Sequence, residues 1–176
     1  MKLTTMFRIT ALLLLAGPLT LAETPQLTPR DVAAANAIVE EKVRLETWVK
    51  ACKAEVPEVA PNGLNVHERF DAVFADWKRV NFDYLDVAGI IRNDQLEAIK
   101  TSQGPSAMSA VLDEMTRKIS ITRRAAQAAL DELPQSKREG KCYGIMTTMV
   151  QGKLDIPAVL VADSKHIESR LEVMGW

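Results

Sequence analysis

Two stretches of this chain space their apolar residues in alternating steps of four and three, and that rhythm restricts what the chain can build. In the first, Val66, Phe70, Val73, Trp77, Val80, Tyr84, Val87 and Ile91 recur in this way. In the second, Met108, Leu112, Met115, Ile119, Thr122, Ala126, Ala129 and Leu133 repeat it. An α-helix turns once in about 3.6 residues, so this spacing lays one apolar stripe along one face of a long helix. A half-buried strand needs a period of two, and no strictly alternating run of Val, Ile, Tyr and Phe occurs. Stripes of this kind are seams for packing long helices together. The expected fold is all-α, an antiparallel up-down bundle of four to five helices.

Capping residues and breakers divide the chain. Thr28 is placed to cap the first helix, with Pro29 at its first position and Asp31 at its third, an acid at the positive helix end. Ala34, Ile38, Leu45, Trp48 and Cys52 supply its apolar stripe, Pro57 ends it, and Pro61-Asn62-Gly63 turns the chain. Asn65 caps the second helix with Glu68 as the other half of a capping box, and the seam carries it past Gly89 toward Lys100 before Gly104-Pro105 stops it. The third helix starts at Ser106 and ends at Pro134, with alanine-rich last turns that let a neighbour approach closely. The fourth begins at Ser136, with Glu139 completing a capping box, and ends near Gly152. Asp155 and Pro157 open a fifth, closed by Gly175.

The first residues have a different character. Lys2 and Arg8 precede an apolar run from Ile9 to Ala16, Gly17-Pro18 breaks it, and Thr20-Leu21-Ala22 puts small residues before a cut after Ala22. The run is too short to span a bilayer. Residues 1–22 therefore read as a cleaved signal peptide and 23–176 as a single helical-bundle domain. No cysteine stands at the cut and no arginine pair precedes the run. A short, leucine-rich signal of this type points to a Gram-negative bacterium and to the periplasm. The whole chain carries a formal charge of −1, and loss of the leader's two basic residues makes the mature chain more acidic. That balance argues against nucleic acid, which needs a concentrated basic surface. No later stretch is long and apolar enough to span a membrane.

Only two cysteines are present, Cys52 and Cys142. An exported chain with a small, even cysteine count is expected to pair them. Short turns make antiparallel neighbours. With the first helix running up, the second down and the third up, Cys52 near the top of the first meets Cys142 in the second turn of the fourth. Trp48, one turn before Cys52, is expected to pack on the bridge. Pairing removes any thiol nucleophile and any thiolate metal ligand.

Few residues remain for chemistry. His166 has Asp163 and Ser164 on its own helix, but three side chains projecting from one helical stretch cannot assemble a triad. Neither H-E-x-x-H nor C-x-x-C-H occurs, so zinc-protease and c-type haem sites are not encoded. Met146 and Met149 could offer thioethers to copper(I), but they fall on an apolar helix face and are read as core. No cofactor or metal is expected. Asp76, Asp83 and Asp86 form an acidic stripe, and Arg117, Lys118, Arg123 and Arg124 a basic stretch; both read as solvated faces by default, though an antiparallel pairing could set the two opposite one another. On the first seam only the Tyr84 phenol is ionisable, which weighs against an acid–base site buried along it.

The function expected on these grounds is binding rather than catalysis: an exported, disulfide-stabilised bundle that engages another protein as an inhibitor, immunity protein or accessory subunit. The contact region expected is the disulfide end, where the loop 56–64 meets 134–138, because recognition concentrates on loops held by a rigid scaffold. The alternative is a small-ligand-binding protein or enzyme with a site between helices at that same end. In either case the residues singled out are His67, Glu68, Lys137, Arg138 and Tyr143.

Overall fold

A computed structural model describes residues 26–174; the leader assigned to residues 1–22 and the closing Gly175 lie outside them. Seven helices and no strand occur among the described residues: α1 (Pro29–Glu55), α2 (Val66–Val80), α3 (Phe82–Gln103), α4 (Pro105–Asp131), α5 (Gln135–Val150), α6 (Ile156–Val159) and α7 (Val161–Met174). They pack as an all-α bundle closed by one disulfide, Cys52–Cys142.

The start of α1 follows its sequence. The Asp31 amide donates to the Thr28 hydroxyl at 3.2 Å, and the Thr28 amide donates to the Asp31 carboxylate at 2.7 Å, a reciprocal cap. α1 is the central helix, packed against α2, α3, α4, α5 and α7. Its apolar residues are therefore buried on several faces, at Ala34, Ile38, Val43, Leu45, Val49 and Cys52 among others. α4 runs the same way as α1: Met115 and Ile119 lie beside Asn36 and Val39, and further along the Trp48 indole N–H donates to the Ala126 carbonyl at 3.0 Å. Trp48 is thus anchored on α4, with the Arg44 guanidinium 4.6 Å from its ring centre.

The main departure from the sequence pattern is at Asn81, where the expected continuous second helix is interrupted. The Asn81 amide N–H₂ donates to the Trp77 carbonyl at 2.8 Å and to Asp155 Oδ1 at 3.2 Å, while its oxygen accepts the Ile156 amide at 2.8 Å. The Trp77 indole N–H donates to the Leu154 carbonyl at 2.8 Å. An asparagine side chain offers the backbone an alternative to helical bonding, and here it serves a loop from far along the chain. The seam is lost at the break: Val80 is 54% exposed and its neighbour Phe82 61%. Beyond it the helix changes partners, α2 packing on α5 and α3 on α4 and α7.

Smaller differences follow from local chemistry. Gly104 alone, with φ +89°, connects α3 to α4, a left-handed position suited to glycine, so α4 starts at Pro105. Leu112 of the second seam is exposed, whereas Met115, Ala126 and Leu130 are buried. The capping box expected at Ser136 and Glu139 does not form; Pro134 precedes α5 and no side chain caps it. The fifth helix is split at Leu160 into α6 and α7. The acidic and basic stripes do not pair with each other among the described residues: Asp76 pairs with Arg79 at 2.6 Å and Arg117 with Glu114 at 2.7 Å, each within its own helix.

Candidate functional site

The disulfide brings the Cα atoms of Cys52 and Cys142 to 5.3 Å and ties the last turn of α1 to the second turn of α5. Around it lies the end of the molecule singled out from the sequence, and most of its residues there serve structure. A helix leaves its last carbonyls without intrahelical partners, and Glu132-Leu133-Pro134 after α4 contains no glycine to cap it. Arg138 fills that need: Nε donates to the Leu133 carbonyl at 3.0 Å and Nη2 to the Asp131 carbonyl at 2.8 Å. Its Nη1 lies 3.3 Å from the Glu55 carboxylate, and the Gln135 amide donates to the other Glu55 oxygen at 2.9 Å. One arginine thereby joins the ends of α1 and α4 to the start of α5.

His67 has a similar role, its Nε2 lying 3.2 Å from the Val56 carbonyl just after α1. Tyr143 packs half-buried with its ring centre 6.5 Å from that of Phe70, which sets α5 against α2. Glu68 is exposed; only its amide is engaged, donating to the Asn65 side chain at 2.9 Å, so the reciprocal half of that capping box is absent. Lys137 is exposed. Among the described residues no hydrogen bond or ion pair joins any two of the five. They share an end of the bundle without converging on a point.

The loop between α1 and α2 also faces outward at this end. Backbone bonds cross-brace it: Ala60 N–H to Leu64 O at 2.9 Å, Gly63 N–H to Ala60 O at 2.9 Å, and Val66 N–H to Glu58 O at 2.7 Å. Gly63, at φ +81°, makes the turn that side-chain-bearing residues avoid. On this braced loop Val59 is 52% exposed and Leu64 56%.

On the flank of the same end an open groove of about 670 Å³ separates α1 from α4. Glu46, Lys50 and Ala54 form one row of its α1 wall and Thr47, Ala51 and Glu55 the next, while Arg123, Arg124 and Gln127 form the α4 wall. Trp48 fills the space between the helices, and the small Ala51 and Ala54 that follow leave it open. The sequence marked Arg123 and Arg124 as basic, but not Lys50; its proximity to two alanines on one helical face was the available signal. In the interior, Arg92 Nε and Gln95 Oε1 are buried without a partner, and the cleft beside Arg92, at about 10 Å³, has no room for a substrate.

A polar cluster lies at the opposite end. Asp31 is fully buried, its Oδ1 2.8 Å from His166 Nε2 and 3.2 Å from Arg170 Nε, and Arg30 pairs with Asp163 at 2.9 Å. Burial opposes the Asp31 charge. Hydrogen bonds from the Thr28 amide, His166 and the Thr28 hydroxyl, with the Arg170 charge, overcome it and hold the carboxyl below the usual carboxylate range. The Ser164 hydroxyl donates to the Val161 carbonyl at 3.1 Å. Ser164, His166 and Asp163 thus face three different partners and form no nucleophilic relay. Nearby, the Tyr84 hydroxyl donates to Glu168 at 2.5 Å, and desolvation together with that carboxylate pushes the phenol up to about 12. Among the described residues no three of His, Cys, Asp and Glu gather where they could hold a metal ion. No helix among them is long and apolar enough to cross a membrane.

No protein family matches this chain, nor does any curated protein or any solved structure.

Proposed function

We propose that this chain is an exported, disulfide-clamped helical bundle that acts by binding another protein through its disulfide end, in the manner of an inhibitor, immunity or accessory protein. The observation that carries this reading is the braced loop between α1 and α2, which leaves Val59 and Leu64 exposed just after the end of α1 that carries Cys52. Exposed apolar side chains on a pre-ordered loop lose little conformational entropy on docking, which is what a recognition surface needs. Export to a Gram-negative periplasm belongs to the same reading, supported by the basic-then-apolar leader and by a compartment in which a disulfide persists. The engagement of His67 and Arg138 with backbone carbonyls weighs against an enzyme built on the five residues at this end.

The test is capture from periplasmic extract with the immobilised mature protein, run beside Leu64→Asp and Leu112→Asp. Leu112 is an exposed leucine on α4, remote from the loop, and serves as the control. The expected result is a partner retained by the parent and by Leu112→Asp and lost with Leu64→Asp. Capture that is equal on all three, or absent from all, removes the proposal. Fractionation of the native host, with the mature amino terminus read by mass spectrometry, checks export separately.

A further inference from the structure

We infer that the groove between α1 and α4 receives an acidic, extended segment of the partner protein; this rests on the protein-binding reading and assigns the partner's chemistry. The charge on the groove walls is the first reason. Lys50, Arg123 and Arg124 line it, and none of them forms an ion pair among the described residues. Arg30, Arg44, Arg79, Arg117 and Arg138 elsewhere each have a carboxylate within 4.0 Å. Of the two acids in the lining, Glu55 is already engaged by Arg138 and Gln135, which leaves Glu46 against three cations. The groove is therefore an uncompensated positive site, and guanidinium forks are suited to two-point pairing with carboxylates.

Shape gives the second reason. A small-molecule pocket encloses most of its ligand, whereas Glu46, Lys50, Ala54, Arg123, Arg124 and Gln127 are all exposed. A trough with exposed walls suits a chain laid along it. From Glu46 to Glu55 the helix rises about 14 Å at about 1.5 Å per residue. That length matches about four residues of extended chain at roughly 3.3–3.6 Å each. Position gives the third reason. Glu55 closes the groove, and the next residue, Val56, begins the loop that carries Val59 and Leu64. A partner seated on the loop has the groove directly beside it, so apolar contact and charge would be read in one docking event.

The experiment uses fluorescein-labelled hexaglutamate as probe and fluorescence anisotropy as readout, on the mature protein in low-salt buffer. The expected result is saturable binding that weakens as salt approaches about 0.15 M. Arg124→Ala and Lys50→Ala, on different helices, each weaken it roughly tenfold, about 1.4 kcal/mol. Arg69→Ala, an exposed arginine on α2 without an ion pair among the described residues, leaves it unchanged. Two independent walls keep the test decisive if one variant unfolds, which a far-ultraviolet circular dichroism melt reports. Absence of saturable binding, equal weakening by Arg69→Ala, or displacement of the peptide by citrate or inorganic phosphate at equal concentration overturns the inference; the last would make the groove a small-anion site. Extract capture that depends on Leu64 but not on Arg124 would sink the groove and spare the protein-binding reading. Peptide binding without any captured partner would remove the protein-binding reading, and with it the partner segment assigned to the groove.

Discussion

Asp31→Asn tests how the last helix is held to the first. Asparagine has the shape of aspartate, so the substitution opens no cavity and isolates the charge. The native carboxylate accepts from the Thr28 amide at 2.7 Å and its hydroxyl at 2.9 Å on one oxygen, and meets His166 at 2.8 Å and Arg170 at 3.2 Å on the other. The amide keeps one acceptor; its N–H₂ group must face donors on the opposite side. Either the α1 cap fails, at about 1 kcal/mol, or the contact with α7 does. Removing one partner of a buried ion pair costs about 3–5 kcal/mol. His166 and Arg170 are only partly buried, so water can take over some of their solvation, and the net loss expected is about 2–4 kcal/mol. At roughly 2–4 °C per kcal/mol for a domain of this size, the melting temperature should fall by about 5–15 °C. Thermal and urea unfolding followed by circular dichroism measure it directly. The pH dependence has a fixed sign. The folded-state pKa of Asp31 lies below its ordinary 3.8, so its stabilisation is complete above that value and is lost as pH falls through the folded value. The gap between parent and variant should therefore be full at neutral pH and shrink below 3.8. Equal melting temperatures at neutral pH, or a gap undiminished at about pH 2, would refute this account of the Asp31 cluster.

The other predictions concern the clamp, the broken helix and the buried phenol. Cys52→Ala with Cys142→Ala opens a loop of 90 residues and should cost up to about 4–5 kcal/mol on chain-entropy grounds. Urea midpoints with and without reductant report that cost, and iodoacetamide labelling of the native oxidised protein at either position would contradict the bridge. Asn81→Ala leaves the buried Ile156 amide without its acceptor and should cost about 1–3 kcal/mol. Hydrogen exchange should show α6 opening first, and an unchanged exchange rate at Ile156 would count against the Asn81 junction. Tyr84→Phe should abolish a phenolate absorbance step at about 12; a lost step at the ordinary 10.0 would contradict both the burial of the phenol and its Glu168 contact.

How much was legible from residue order varies along the chain with the reach of the interactions. The α1 start was readable because Thr28, Pro29 and Asp31 act within one turn of each other. The meeting of Cys52 and Cys142 was readable because helix lengths and short turns leave few ways to close a bundle. The break at Asn81 was not, because an unbroken four-three pattern runs through it and two of the three groups that hold the Asn81 side chain, Asp155 and Ile156, lie far along the chain. The candidate residues show the same limit. Arg138 carries no mark in sequence that distinguishes a carbonyl cap from a free surface charge, and only the end of α4 beside it decides. The groove needed α1 and α4 as parallel neighbours before Lys50 and Arg124 could belong to one site.

By itself, then, the sequence determined that this protein is helical, how its first helix is capped, and which end its two cysteines share. Those features depend on periodicity, backbone geometry and capping, which act over a few residues. Tertiary structure alone decided that the seam breaks at Asn81, that Asp31 anchors α7 as well as capping α1, and that three cations without an ion pair among the described residues line one trough. Each of these depends on groups far apart in the chain, separated by 74 residues for Asn81 and Asp155 and by 135 for Asp31 and His166. The desolvation and hydrogen bonding that set their roles exist only once the helices have packed.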